Sequence, residues 1–150
     1  MRTLLSALAI GVVLFLAPVQ KSYGQVFTKG ALIGEVGLTG VGLYGSLEYG
    51  VSDKIGPGRI GVGGTVGLPL WFSFGIFLGP EAYYHFEIPS VPQLDLAAGL
   101  GLYLYPIGNL YISPSINILG RYFFTDKIGI AVRGNFWVGA GGSIGVAFKL

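Results

Sequence analysis

The sequence contains no cysteine, and only 11% of its 150 residues are charged. Without cysteine there can be neither a disulfide framework nor a thiolate metal site. The low charge is unusual for a soluble domain, in which roughly a quarter of the residues are charged. The basic residues are also too scattered to indicate a nucleic-acid-binding face, so we expect no nucleic-acid partner.

Long hydrophobic runs are missing beyond the first residues, although 52% of the sequence is hydrophobic. No segment after Gly24 offers the roughly 18 consecutive apolar residues that indicate a transmembrane helix. A helical membrane protein is therefore excluded for this part of the chain. A membrane β-barrel remains, because alternation along its strands dilutes the apolar residues instead of gathering them in blocks.

The start of the chain has the organisation of a secretory signal. Arg2 supplies an early positive charge, an apolar run extends over residues 4–16, and the small residues Ser22 and Gly24 suit cleavage before Gln25. The alternative is a retained anchor, but the run is short for a span of roughly 20 residues.

We therefore predict a signal peptide at 1–24 and one barrel domain at 25–150. The predicted domain has seven basic and seven acidic residues, so its formal net charge is zero.

Most of this domain alternates between large apolar residues and small or polar ones, which is typical of β-strands. Turn signals rich in glycine, proline, asparagine and aspartate separate the alternating segments. The pattern predicts eight strands, at 30–38, 43–51, 59–68, 71–87, 94–105, 109–124, 128–138 and 142–150. Residues 49–56 and 122–129 resemble each other and follow the second and sixth of these strands, which indicates that both turns lie at the same end of a barrel.

The two faces of the predicted strands differ in composition. One face is a belt of leucine, isoleucine, valine and phenylalanine, whereas the other has nearly all the charged residues together with many glycines. Glycine weakens an ordinary strand but suits a narrow barrel interior, where large neighbours need room. We therefore predict an all-β, eight-stranded antiparallel up-and-down transmembrane β-barrel whose apolar face meets lipid.

The charged residues of the inner face are predicted to form a network in the lumen. Arg121 and Arg133 are expected to be its hubs, since buried charges pair to offset the loss of hydration. The full predicted set is Glu35, Glu48, Glu81, His85, Arg121 and Arg133. The alternative is a narrow ion-selective channel, but eight strands leave a lumen only just wide enough for its own side chains.

Aromatic residues of the outer face fall near the ends of the predicted strands, as in the interfacial girdles of membrane barrels. The predicted girdle consists of Tyr49, Phe72, Phe74, Tyr84, Phe86, Tyr122, Phe124, Phe136 and Phe148.

The signal peptide, the segments 43–54 and 120–127 and the closing strand together resemble the small eight-stranded outer-membrane barrels of Gram-negative bacteria. The resemblance is to the type of the outer membrane protein A transmembrane domain and covers essentially the whole predicted domain. It implies integral insertion in the outer membrane, with outer-membrane lipid and the barrel assembly machinery as partners. In this family the last strand usually ends in an aromatic residue that is read during assembly; here Phe148 is third from the end and Leu150 is last.

Two further functions can be imagined from the inner face. His85 could serve as a base in a lipid-modifying enzyme, but no serine adjoins it in sequence, so a structural polar network is favoured. Lumenal aromatics could instead hold an acyl chain or small apolar ligand, although filling space beside glycines is their commoner role. These aromatics are Trp71, Tyr103, Tyr105, Tyr111 and Trp137.

The short connections at 39–42, 106–109 and 139–142 leave little surface for a specific partner. We therefore expect a non-enzymatic, structural or envelope-associated outer-membrane barrel, with no cofactor, no metal site and no identifiable ligand. A narrow channel or small-ligand transporter is the alternative, and a lipid-modifying enzyme is a third hypothesis.

Overall fold

In a computed structural model the chain is described at residues 26–40, 42–70, 76–107, 109–137 and 141–150. These residues form one closed antiparallel barrel, in which each strand pairs with its neighbours in sequence and the first pairs with the last. The strands are β1 (Leu32–Thr39), β2 (Gly42–Gly50), β3 (Gly58–Pro69), β4 (Phe77–Phe86), β5 (Leu94–Ile107), β6 (Asn109–Phe123), β7 (Ile128–Trp137) and β8 (Gly141–Lys149). The predicted eight-stranded up-and-down barrel is therefore confirmed as a fold.

Several predictions concern residues outside the described part of the chain. The signal peptide at 1–24 and the start of the fourth strand, with Trp71, Phe72 and Phe74, lie there. The predicted domain division accordingly stays a prediction.

The strand bounds depart from the predicted ones mainly at the short connections. Pro106 and Ile107 were predicted in a turn, but they belong to β5, where Ile107 pairs with Asn109 of β6. Likewise Gly141, predicted in a connection, begins β8. Turn-forming residues can stay in a ladder because the partner strand still supplies hydrogen bonds there, so these strands extend further than the composition suggested.

The barrel has two distinguishable ends. We call the lower end the one that holds residues 26–31, the connections 51–57, 87–93 and 124–127, and the close of β8. At the upper end β1, β3, β5 and β7 end and β2, β4, β6 and β8 begin. The two similar segments at 49–56 and 122–129 both lie at the lower end, as their spacing predicted.

The outer wall is apolar over its height. Side chains such as Val36, Leu47, Leu100 and Ile116 point outward and are exposed, with Leu100 at 66%. Among the described residues, no helix is long and apolar enough to cross a membrane.

The interior is polar, which is the reverse of a soluble protein. The buried polar and charged residues of the described part are Glu35, Glu48, Thr65, Glu81, His85, Asp95, Ser113, Ser115, Asn117, Arg121 and Arg133. Residues two apart share a face of a strand. In each strand these polar residues occupy the same set of alternate positions, so their side chains point together into the lumen.

Candidate functional site

The charged side chains of the lumen meet in one cluster, which we call the lumenal network. It contains all six residues predicted for it and one more, Asp95. Its members are Glu35, Glu48, Glu81, His85, Asp95, Arg121 and Arg133, and every one of them is buried.

Arg121 forms the lower half of the network from β6. Its Nε donates to Glu35 Oε1 at 2.6 Å, its Nη1 donates to Asp95 Oδ2 at 3.0 Å, and its Nη2 donates to Glu48 Oε2. The guanidinium fork thus reaches β1, β2 and β5 at once, and only 1% of the residue is exposed. Asp95 is also its direct partner in the β5–β6 ladder, which places the two side chains next to each other on the inner face.

His85 lies between two of the same carboxylates. Its Nδ1 is 2.7 Å from Asp95 Oδ1 and its Nε2 is 2.5 Å from Glu48 Oε1. Ionised carboxylates only accept hydrogen bonds, so with Glu48 and Asp95 both ionised the two ring nitrogens donate and His85 is an imidazolium. No hydroxyl group is among the described hydrogen-bond partners of His85, so the geometry offers no nucleophile for it to activate.

Arg133 forms the upper half from β7. Its Nε donates to Glu35 Oε2 at 2.7 Å, its Nη1 to Glu81 Oε2 at 2.9 Å and its Nη2 to Ser46 Oγ at 2.7 Å. The guanidinium carbon also lies 5.7 Å from the ring centres of both Tyr44 and Tyr83. Hydrogen bonds and ring faces therefore surround the buried charge.

Glu35 joins the two halves, because one of its oxygens accepts from Arg121 and the other from Arg133. The network holds four carboxylates against two guanidinium groups and one imidazolium, a formal balance of minus one. In the described part of the chain, no buried side-chain nitrogen or oxygen lacks a hydrogen-bond partner. Such a cluster offsets much of the cost of removing its charges from water.

Above the network, aromatic and amide side chains fill the lumen. Tyr103 donates to Glu81 Oε1 at 2.5 Å and accepts from Asn117 Nδ2 at 3.3 Å. Its ring occupies the space over Gly79, where an added Cβ would lie 2.1 Å from it. Phe77 packs against both Tyr103 and Tyr105, each with 5.7 Å between ring centres. Phe77 therefore contacts both tyrosines. The side chains of Trp71 and Trp137, which were also predicted in the lumen, are outside the part of the chain that the structure describes.

The predicted girdle aromatics that the structure describes lie near strand ends. Tyr49 and Phe86 at the lower end and Phe136 at the upper end are exposed on the outer wall, whereas the other described members are partly covered. Those partly covered members are Tyr84, Tyr122, Phe124 and Phe148. Tyr84 also donates its hydroxyl to the Ile55 carbonyl at 2.5 Å, which is the amphipathic behaviour that suits a boundary between lipid and water.

The lower rim carries separate ion pairs. Lys29 Nζ lies 2.7 Å from Asp53 Oδ2, and both groups are exposed. Their hydrogen bond and mutual attraction raise the pKa of the Lys29 ammonium and lower the pKa of the Asp53 carboxyl. With a lowered carboxyl pKa, any stabilisation from this pair is present at neutral pH and is lost as the pH falls through that pKa. Arg59 and Lys54 both donate to Glu87 nearby.

The network predicted from the sequence did not include Asp95. Sequence reasoning also missed Val26 and Phe27, which precede β1 and are nevertheless buried at the lower end. A signal for Asp95 was present, because it faces Arg121 if the β5–β6 hairpin folds about residue 108.

The described residues contain no group of three or more histidine, cysteine, aspartate or glutamate side chains that could hold a metal ion. The network carboxylates are instead neutralised by arginine and histidine.

The fold and the site together define a class: a closed eight-stranded antiparallel barrel with an apolar exterior and a lumen filled by an ion-paired network. The chain is similar in fold to the N-terminal β-barrel domain of Pseudomonas aeruginosa OprF. That likeness has 17% sequence identity and a TM-score of 0.49, and it covers 83% of this chain and 100% of that chain. It concerns the fold alone. No protein-family model matches the sequence, and no curated protein matches it either.

Proposed function

We propose that this chain is a non-enzymatic integral protein of the bacterial outer membrane, with a structural or envelope-associated role. The observation that supports the proposal best is the segregation of side chains. The buried charged groups of the described residues lie inside the barrel, while large apolar side chains cover its outer wall.

This arrangement is the one that a lipid environment demands. Backbone groups in hydrocarbon must all be paired, and a closed barrel achieves this because it has no free edge. Here β8 closes the wall by pairing with β1 from Ile33↔Lys149 to Thr39↔Ser143. In water the same outer wall would be an exposed apolar surface far larger than the few hundred Å² typical of soluble monomers.

Membrane fractionation and heat-modifiable migration test this proposal. We expect the protein to stay in the outer-membrane fraction after carbonate extraction, and to migrate faster in a detergent gel before boiling than after it. Both results follow from a compact barrel whose apolar wall is held by lipid. Release by carbonate, together with one unchanging gel position, would contradict the proposal and favour a soluble barrel.

The partners of the proposed protein are outer-membrane lipid along the apolar wall and the barrel assembly machinery at the closing strand. We place the assembly signal in β8, where Ile144, Val146 and Phe148 face outward from the strand that completes the wall.

We expect little or no ion conductance from the purified barrel in planar bilayers. Arg121 and Arg133 bridge strands on several sides of the lumen, and their partners fill the space between them. Single-channel recording at neutral pH measures this. Large, stable and ion-selective openings would contradict the filled lumen and support the channel alternative.

A further inference from the structure

Residues Val26, Phe27 and Thr28, which we call the strap, lie across the lower end of the barrel although they belong to no strand. Val26 and Phe27 are each only 5% exposed. A segment that precedes the first strand usually stays at the surface unless something holds it. The burial of Val26 and Phe27 therefore indicates a specific packing site for the strap.

Phe27 packs against His85, a member of the lumenal network. Its ring stacks on His85 with 3.6 Å between ring centres and an angle of 10° between the planes. Gly61 of the neighbouring wall leaves room for this ring and for Glu48, since an added Cβ would lie 2.3 Å from Glu48 Oε1 and 2.7 Å from Phe27 Cζ. A side chain at that position would collide with the strap as well as with the network.

Beneath this contact the strap completes an apolar layer that separates the network from the lower opening. Its members are Val26, Phe27, Ile33, Phe123, Ala131 and Ala147. A cavity of about 20 Å³ remains beside the strap and touches His85 and Asp95 on one side and Arg59 and Glu87 on the rim. This is room for about one water molecule, directly between the strap and two members of the network.

The strap is held less firmly than the wall. In the part of the chain that the structure describes, no backbone hydrogen bond joins Val26 or Phe27 to a strand. Thr28 accepts from Ala31 at 3.0 Å, within a turn where Gly30 has a φ of 82°. Beyond this turn, Gly30 donates to the Gly50 carbonyl at 2.8 Å, Gly50 donates to the Ala31 carbonyl at 2.9 Å, and Lys29 and Asp53 form an exposed ion pair. Segments with few hydrogen bonds open locally at far lower cost than the core.

We propose that the strap is a closure for the lower mouth of the lumen, and that its release gives water and small polar solutes access to His85 and Asp95. The packing of Phe27 holds the strap in the closed position. This contact is separate from the ion pairs that fill the lumen above it. The closure itself does not depend on the proposed outer-membrane function; in an outer-membrane barrel of this topology the lower mouth would face the periplasm.

Single-cysteine labelling tests the closure directly, because the chain has no cysteine of its own. Ala131→Cys and Ala147→Cys each place a thiol in the apolar layer, at positions that are 0% exposed. The reaction rate with a small charged methanethiosulfonate is measured on the folded barrel in detergent micelles. We expect slow labelling in the parent, and labelling on the order of a hundredfold faster when Phe27→Ala is added, since the lost ring was the main contact that held the strap.

Phe136→Ala is the matched control, because it removes the same ring from the outer wall at the upper end. It should leave the labelling rate unchanged. A parent that already labels fast, or a folded Phe27→Ala barrel that labels as slowly as the parent, would overturn the proposal.

A second measurement avoids the introduced thiols. Exchange of the His85 ring N–H protons with solvent, followed by NMR, should be slow in the parent and faster in Phe27→Ala, with Phe27→Leu between them. Equal exchange in all three would count against the strap. Both measurements are made in micelles, with heat-modifiable migration as the check of folding. The strap proposal can therefore fail while carbonate extraction supports the membrane barrel, and carbonate extraction can contradict the membrane barrel while the strap proposal holds.

Discussion

Replacing Arg121 by methionine should destabilise the barrel by about 3–5 kcal/mol, the range found when one partner of a buried charge cluster is removed. The side chain donates to Glu35, Glu48 and Asp95, and all three carboxylates are almost completely buried. Methionine fills a similar volume but leaves these charges facing one another with only Arg133 and His85 to neutralise them. Equilibrium urea unfolding in lipid vesicles, followed by tryptophan fluorescence, measures the change.

A compensating variant separates the charge effect from a packing effect. If unpaired carboxylates cause the loss, adding Glu48→Gln to Arg121→Met should recover part of the stability, since one buried negative charge is removed and coupled sites are not additive. Arg121→Lys should lie between the parent and Arg121→Met, because a lysine keeps the charge but cannot reach three carboxylates with a rigid fork.

Lys29→Ala is the surface control. Its pair with Asp53 is exposed on both sides, so its loss should barely change the unfolding midpoint. If Arg121→Met were as stable as Lys29→Ala, the lumenal network would not be a determinant of stability in this barrel.

The parts of the fold that follow a local rule could be predicted from sequence. Alternation identifies a strand and its two faces because side chains have a period of two residues, and this sufficed to place Glu35, Glu48 and Arg133 inside. The Asp95–Arg121 contact was also within reach, since the two residues are equally far from the tip of a hairpin at residue 108.

Contacts across the lumen could not be predicted in the same way. Arg133 and Glu35 are 98 residues apart, and they meet only because of how far each strand is offset from the next around the closed wall. Local sequence patterns contain no measure of that offset. For the same reason the partners of His85 are Glu48 and Asp95 from other strands, and not its neighbours along β4.

The strap shows a different limit. Val26 and Phe27 lie outside any alternating segment, so period-based reasoning assigns them no face. Their burial depends on the room left by Gly61 and on the ring of His85, which belong to β3 and β4. Such a contact becomes visible only when the barrel is closed.

Gly63→Ala should destabilise the barrel by about 1–3 kcal/mol, the usual cost of forcing an extra group into a packed interior. Gly63 pairs with Glu48 across β2 and β3, and its added Cβ would lie 2.2 Å from the Leu47 carbonyl oxygen and 2.9 Å from the Glu48 Cα. Both atoms are backbone and cannot rotate away, so the strands must separate. The shift would also move Glu48, which contacts Arg121 and His85.

Gly45→Ala is the matched control on the outer face, because the nearest atom to its added Cβ is 3.8 Å away. There the substitution should be neutral or slightly stabilising, since alanine reduces the freedom of the unfolded chain. Unfolding midpoints of the two variants in the same lipid test the difference. Equal midpoints would show that the inner wall relaxes around the added methyl group of Gly63→Ala. The glycines of the inner face would then not be required for close packing of the lumen.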